Sequence, residues 1–163
     1  MNSICVIVPT WQHYAEPFLH QPYWELYFAT ILRKQFSEEK VTVNVVDFRG
    51  FVTKNLTEEV DKLAEYDLYV HWIFKTNAAM DHYQIAKQLK GKYPKSIHAA
   101  GGTHVEMEPE DSSLHFDTIV IGPGEEALVK IVHDARAGNL QKIYQQNWKE
   151  VPFKETPFPE RDF

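Results

Sequence analysis

The chain has little of what covalent or metal-centred chemistry requires. It contains one cysteine, Cys5, in 163 residues. A single thiol excludes an internal disulfide and any cysteine-only metal site within the chain. Cys5 lies in the apolar run Ile4-Cys5-Val6-Ile7-Val8, where a free thiol packs as a small hydrophobe. Positive charge is also scarce: 17 Lys and Arg face 23 Asp and Glu, a formal net charge of -6. With no basic cluster, a general attraction to nucleic acid or to an anionic membrane is excluded. No apolar run approaches the length of a membrane span. Met1-Asn2-Ser3 carries no basic n-region, and the apolar stretch behind it is too short for a signal peptide. The expected setting is therefore reducing and cytoplasmic.

Several catalytic spacings are missing as well. No glycine loop carries the Lys and Ser/Thr of a nucleoside-triphosphate site, and no His-Glu-x-x-His occurs. No Gly-x-Ser-x-Gly supplies a nucleophile elbow. Val8-Pro9-Thr10 and Phe74-Lys75-Thr76 hold none of the acidic residues that a phosphoacceptor receiver domain places there.

Apolar residues make up 44% of the chain, enough for one hydrophobic core at this length. Five short runs rich in β-branched or aromatic residues read as strands: 4–8, 41–46, 68–74, 97–100 and 118–121. Helical periodicity fills the gaps. Residues 22–36 predict a helix buried over most of its surface. Residues 56–66 place Leu56, Val60 and Leu63 on one stripe, with Asn55 and Glu58 spaced as a capping box. A third helix runs over about 78–90, ended by Gly91 and Pro94. Residues 106–116 predict a short helix or turn around Pro109, and 125–137 a helix stopped by Gly138.

Short strands alternating with amphipathic helices imply right-handed crossovers, an α/β fold and a mostly parallel five-stranded sheet with helices on both faces. Residues 139–163, with Pro152, Pro157 and Pro159, read as an extended tail or linker after a domain spanning 1–138.

In such sheets ligands bind outside the carboxyl ends of the strands. The fourth strand runs into Gly101-Gly102-Thr103-His104, and the fifth into Gly122-Pro123-Gly124-Glu125-Glu126. Glycines at a strand end allow a sharp turn or the close approach of a bulky group. The first loop is aromatic: Trp11, Tyr14, Phe18, Tyr23 and Trp24 form either a lid over a flat ligand or part of the core. Eight histidines raise a metal site as a further reading. His71 and His98 sit on neighbouring strands, and His13, His20 and His104 lie toward the same rim, but none has metal-ligand spacing.

The stretch from Gly101-Gly102-Thr103-His104 through Glu108-Pro109-Glu110 to Asp117-Thr118-Ile119-Val120-Ile121-Gly122-Pro123-Gly124-Glu125 resembles the second half of the cobalamin-binding domains that precede radical-SAM barrels. Gln21–Ala29 resembles that family's first helix. Val45-Val46-Asp47 resembles the end of its second strand, and Pro157–Asp162 the linker into the barrel. The resemblance implies a flavodoxin-like doubly wound sheet of order 2-1-3-4-5, with the corrin over the strand ends and its nucleotide tail in a slot beside the fourth and fifth strands. The cofactor contacts it implies on the early strands are Thr10, Trp11, His13 and Trp72. On the late strands they are Gly101, Gly102, Thr103, His104, Gly122, Pro123, Gly124 and Glu125.

Two departures go with it. Trp11-Gln12-His13-Tyr14-Ala15-Glu16 stands where cobalt-ligating relatives have Asp-x-His-x-x-Gly, so His13 lacks the carboxylate that would orient it. Trp72-Ile73-Phe74 replaces Ser-x-Leu, and an indole there is large enough to fill the slot itself. The family reading expects cobalamin as cofactor and a radical-SAM barrel as partner, in the same parent chain or another subunit. The iron–sulfur cluster and SAM would belong to that barrel, and this chain would have no turnover of its own. The alternative is a degenerate domain that binds no cofactor and serves as an interaction or substrate-positioning module.

Overall fold

A computed structural model describes residues 1–12, 14–19, 21–51, 53–151 and 156–162. The strands are β1 (Ser3–Val8), β2 (Thr42–Asp47), β3 (Leu68–Trp72), β4 (Ile97–Gly101), β5 (Thr118–Ile121) and β6 (Ile143–Gln145). They form one parallel sheet of order β2-β1-β3-β4-β5-β6. The helices are α1 (Tyr23–Gln35), α2 (Thr53–Asp61), α3 (Ala79–Lys92), α4 (Thr103–Met107), α5 (Pro109–His115) and α6 (Glu125–Arg136). The architecture is α/β and flavodoxin-like in kind. Among the described residues no helix is long and apolar enough to cross a membrane.

The period-2 alternation of the strands separates two cores. Ile4, Val6, Leu68, Val70, Trp72, Ala99 and Val120 pack under Phe28 and Leu32 of α1 and Leu128 and Ile131 of α6. On the other face, Cys5, Ile7 and Tyr69 meet Leu56 and Val60 of α2 and Ile85 and Leu89 of α3. Cys5 is fully buried there, and burial pushes its thiol pKa up.

Four details differ from the sequence reading. The sheet has a sixth strand, because residues 143–145 pair with β5 and bury Tyr144. Ile143-Tyr144-Gln145, between Lys142 and Gln146, gives no apolar run, so this strand is invisible to periodicity, and the chain after Gly138 is not all extended tail. Helix α2 begins at Thr53, which puts Asn55 inside it rather than at a cap. The 106–116 segment resolves into α4 and α5, the latter with Pro109 in its first turn, where the missing N–H is not needed. Gly91 lies within the last turn of α3, which stops at Lys92 ahead of Pro94.

Part of the final segment lies back on the domain. Glu160 receives an ion pair from Arg33 at 3.2 Å, and its backbone N–H donates to the Thr30 hydroxyl at 2.8 Å.

Candidate functional site

The sheet order reverses around β1, which places the topological switch point between β1 and β3. A cleft of about 290 Å³ opens there, lined by Pro9 and Trp11 after β1, Trp24 and Glu25 of α1, and Trp72 and Lys75 at the end of β3. Tyr14, Tyr23 and Phe74 complete its aromatic walls. The first loop thus divides: Trp11, Tyr14, Tyr23 and Trp24 line the cleft, while Phe18 stacks under the Arg49 guanidinium at 5.3 Å.

Glu25 is the one carboxylate among the described residues lining this cleft. It is 5% exposed. Burial raises its pKa to about 7; the N–H of its own backbone, Asp47 and Arg49 act more weakly. Nothing in the sequence sets it apart from any acidic residue in a first helical turn.

The loop that carries Trp11 is anchored by a buried knot. The Thr10 hydroxyl donates to the Asp81 carboxylate, and the Gln12 side-chain amide donates to the other oxygen of Asp81 at 2.8 Å. Asp81 is buried in the first turn of α3. Trp11 itself adopts φ +50°. His13 and His20 lie outside the described residues.

The glycine side of the rim is packed tightly. Trp72 pairs in register with Gly101 across the β3–β4 ladder, and its indole lies over that glycine. A Cβ on Gly124 would come within 2.7 Å of Trp72 and 2.9 Å of Phe28, and one on Gly101 would be closer still to the indole. Phe28 and Trp72 have ring centroids 4.1 Å apart. Gly102, at φ +100°, lies against the Ile73 carbonyl, and Gly122, at φ +92°, against the Gln146 carbonyl. These four glycines make room for an indole and for neighbouring backbone. The space left among Trp72, Gly102, Thr103, Gly124, Glu125 and Trp148 is about 40 Å³.

The remaining predicted positions scatter. Thr103 is exposed and Pro123 is buried. His104 faces α3, where its Nε2 meets the Tyr83 hydroxyl at 2.8 Å and its Nδ1 meets the Thr76 hydroxyl at 3.3 Å. One Glu125 oxygen accepts from the Tyr27 hydroxyl at 3.0 Å, and the other is buried without a partner among the described residues. The first N–H groups of α6 are taken by the Gln146 side-chain carbonyl, which accepts from Glu126 at 3.1 Å and from Ala127 at 3.2 Å. Gln146 thus caps α6 from across the β5–β6 edge, a role that depends on a strand the periodicity does not reveal.

The histidines on neighbouring strands do meet. His71 Nδ1 lies 3.2 Å from Nδ1 of His82, and its Nε2 lies 3.1 Å from Nδ1 of His98. All three are fully buried, and the outer nitrogens, Nε2 of His82 and Nε2 of His98, have no partner among the described residues. Burial holds His82 down to about 3 and His98 to about 4, and holds His71 well below its ordinary value. Three neutral imidazoles carry three N–H groups, and the two internal bonds use two of them. One end of the row therefore presents a bare N–H and the other a bare lone pair. Among the described residues no group of three or more His, Cys, Asp or Glu is arranged to hold a metal ion.

No protein-family model matches the chain, and none of the curated proteins matches it significantly.

Proposed function

We propose that this chain is a domain of the cobalamin-binding type that accompanies a radical-SAM barrel, in a form whose nucleotide slot is filled by Trp72. In this reading it works as an interaction and substrate-positioning module of the larger enzyme and carries no cofactor of its own. The kinship rests on Gly101-Gly102-Thr103-His104 and Gly122-Pro123-Gly124-Glu125, on the flavodoxin-like order of the first five strands, and on the linker-like Pro157–Asp162. One observation carries the rest: Trp72 is 5% exposed and occupies the space over Gly101 and Gly124. A buried tail and a buried indole exclude one another, because protein interiors are close-packed.

Cobalamin carriage, with (methyl)cobalamin positioned for methyl transfer, is the second reading. The exposed aromatic rings around the switch point favour it, since a flat macrocycle laid across the strand ends, outside the small cleft, would find ring faces there. It requires Trp72 to leave its slot. When bound, cobalamin would supply the methyl-transfer chemistry and the protein its orientation.

The two readings separate in one experiment. The purified chain is mixed with hydroxocobalamin and desalted, and its visible spectrum is recorded beside that of Trp72→Ala. The expected result is a wild type without corrin absorbance and a variant that retains it. Stoichiometric corrin on the wild type overturns the positioning reading in favour of carriage, and Gly102→Trp should then abolish binding. Absence of corrin on both proteins, with the variant folded, removes the slot argument and the kinship with it.

A further inference from the structure

We infer that the cleft between β1 and β3 binds a flat nitrogen heterocycle that presents paired N–H donors to Glu25 and an anionic substituent to Lys75. The inference deepens the substrate-positioning reading and rests on it, since a carriage domain would cover the same rim with a corrin.

Glu25 sets the polarity of the cleft. A buried carboxylate normally gathers several donors. Among the described residues its own backbone N–H is the one hydrogen-bond donor that reaches the Glu25 carboxylate, and Glu25 lines the cleft. Tyr27, two residues on, turns instead to Glu125. The acceptor that Glu25 offers to the cleft matches an amidine-type edge, in which two parallel N–H groups meet one carboxylate.

The walls set the shape. Trp11, Tyr14, Tyr23, Trp24 and Phe74 present ring faces and edges, which favour a planar aromatic guest. Pockets for drug-sized ligands run to roughly 300–1,000 Å³. At about 290 Å³, this cleft suits a bicyclic ring better than a macrocycle.

The mouth sets the charge. Lys75 is exposed, lines the cleft, and holds its ammonium 4.6 Å from the Tyr14 ring centre. Arg49 also stacks on the aromatic loop, 5.4 Å from the Trp11 ring, but is paired with Asp47 at 2.5 Å. An organic cation would thus meet Lys75 at the mouth with like charge, whereas a carboxylate or phosphate on the ring would be attracted. A pterin and a guanine share the required edge, and either chemistry fits.

The test uses fluorescence titration of the whole chain with pterin-6-carboxylate and, by competition, with guanosine 5′-monophosphate. The expected result is saturable quenching by the pterin or displacement of it by the nucleotide; the stronger of the two identifies the source. Lumazine-6-carboxylate, which carries an oxo group in place of the amino donor, should bind at least about tenfold more weakly, as should pterin-6-carboxylate to Glu25→Gln. Lys75→Met, an exposed change that leaves the core intact, should weaken the carboxylated pterin about threefold or more and leave unsubstituted pterin unchanged.

No saturable binding of either probe up to about 1 mM overturns the inference. Equal affinity for pterin and lumazine, or for wild type and the Glu25 and Lys75 variants, overturns it too. Corrin retention by the wild type would overturn the positioning reading by a different signal, so the two failures are distinguishable.

Discussion

Trp72→Ala should cost about 3–5 kcal/mol of stability, the range for deleting a buried large aromatic, and Gly101→Ala about 1–3 kcal/mol, the range for overpacking. Combined, the two should fall well short of additive. In the wild type, Gly101 lies directly under the indole, and any Cβ there must displace it. With the indole gone, the methyl enters the space it vacated, so Gly101→Ala becomes neutral or mildly favourable in the Trp72→Ala background. The coupling should therefore be about 1–3 kcal/mol, against the roughly 0.3–0.5 kcal/mol within which independent sites add. Urea titration of the four proteins measures it. Additive costs would show that the glycine is required for some reason other than the tryptophan. The cycle also bears on function, because the variant that relieves the packing is the one expected to admit a corrin tail.

That coupling explains how the site was half legible. Strand-end glycines are visible in any sequence, and the rule that ligands gather at carboxyl ends of strands directs attention to them. What fills the space is decided by register, and the pairing of Trp72 with Gly101 is a property of the sheet. The strands and main helices were legible because their patterns are local: short runs of apolar, β-branched or aromatic residues in β1 and β3, an apolar stripe in α6. Tyr144, Gln146, Asp81 and Glu25 were not, because each acquires its role from the elements that the fold brings around it. Asp81 is 71 residues from Thr10, and Gln146 reaches the start of α6 only because β6 extends the sheet. The histidines fall between these cases. The meeting of His71 and His98 follows from adjacent strands, whereas His82 joins them from the inner face of α3.

The buried histidine row makes acid the condition under which this fold should fail. In the unfolded chain each imidazole takes up a proton as the pH falls through about 6.5. In the folded chain His98 stays neutral down to about 4 and His82 down to about 3. Lys90 opposes charge on His71 and His98, His104 opposes it on His82, and only Asp117 favours it, on His98. The unfolded state therefore binds more protons below 6.5. The full stability is present above that pH and drains away as the pH falls. At pH 5, His82 and His98 together cost about 4 kcal/mol, and His71 adds to this. Glu25 acts in the opposite direction. Its carboxyl, raised to about 7 in the fold, gains its proton before the unfolded chain does, which returns about 2–3 kcal/mol at pH 5. Wild-type stability from urea midpoints should thus fall by a few kcal/mol between pH 7.5 and pH 5. Glu25→Gln should steepen the fall by removing the offset. His82→Leu should be less stable at pH 7.5, because it strips His71 of a partner, yet show a shallower fall below pH 6.5. A wild type whose stability is flat from pH 7.5 to 5, with an equally flat Glu25→Gln, would mean that the three imidazoles are not neutral in the fold. The row would then have to hold a charge that only Asp117, beside His98, is placed to balance.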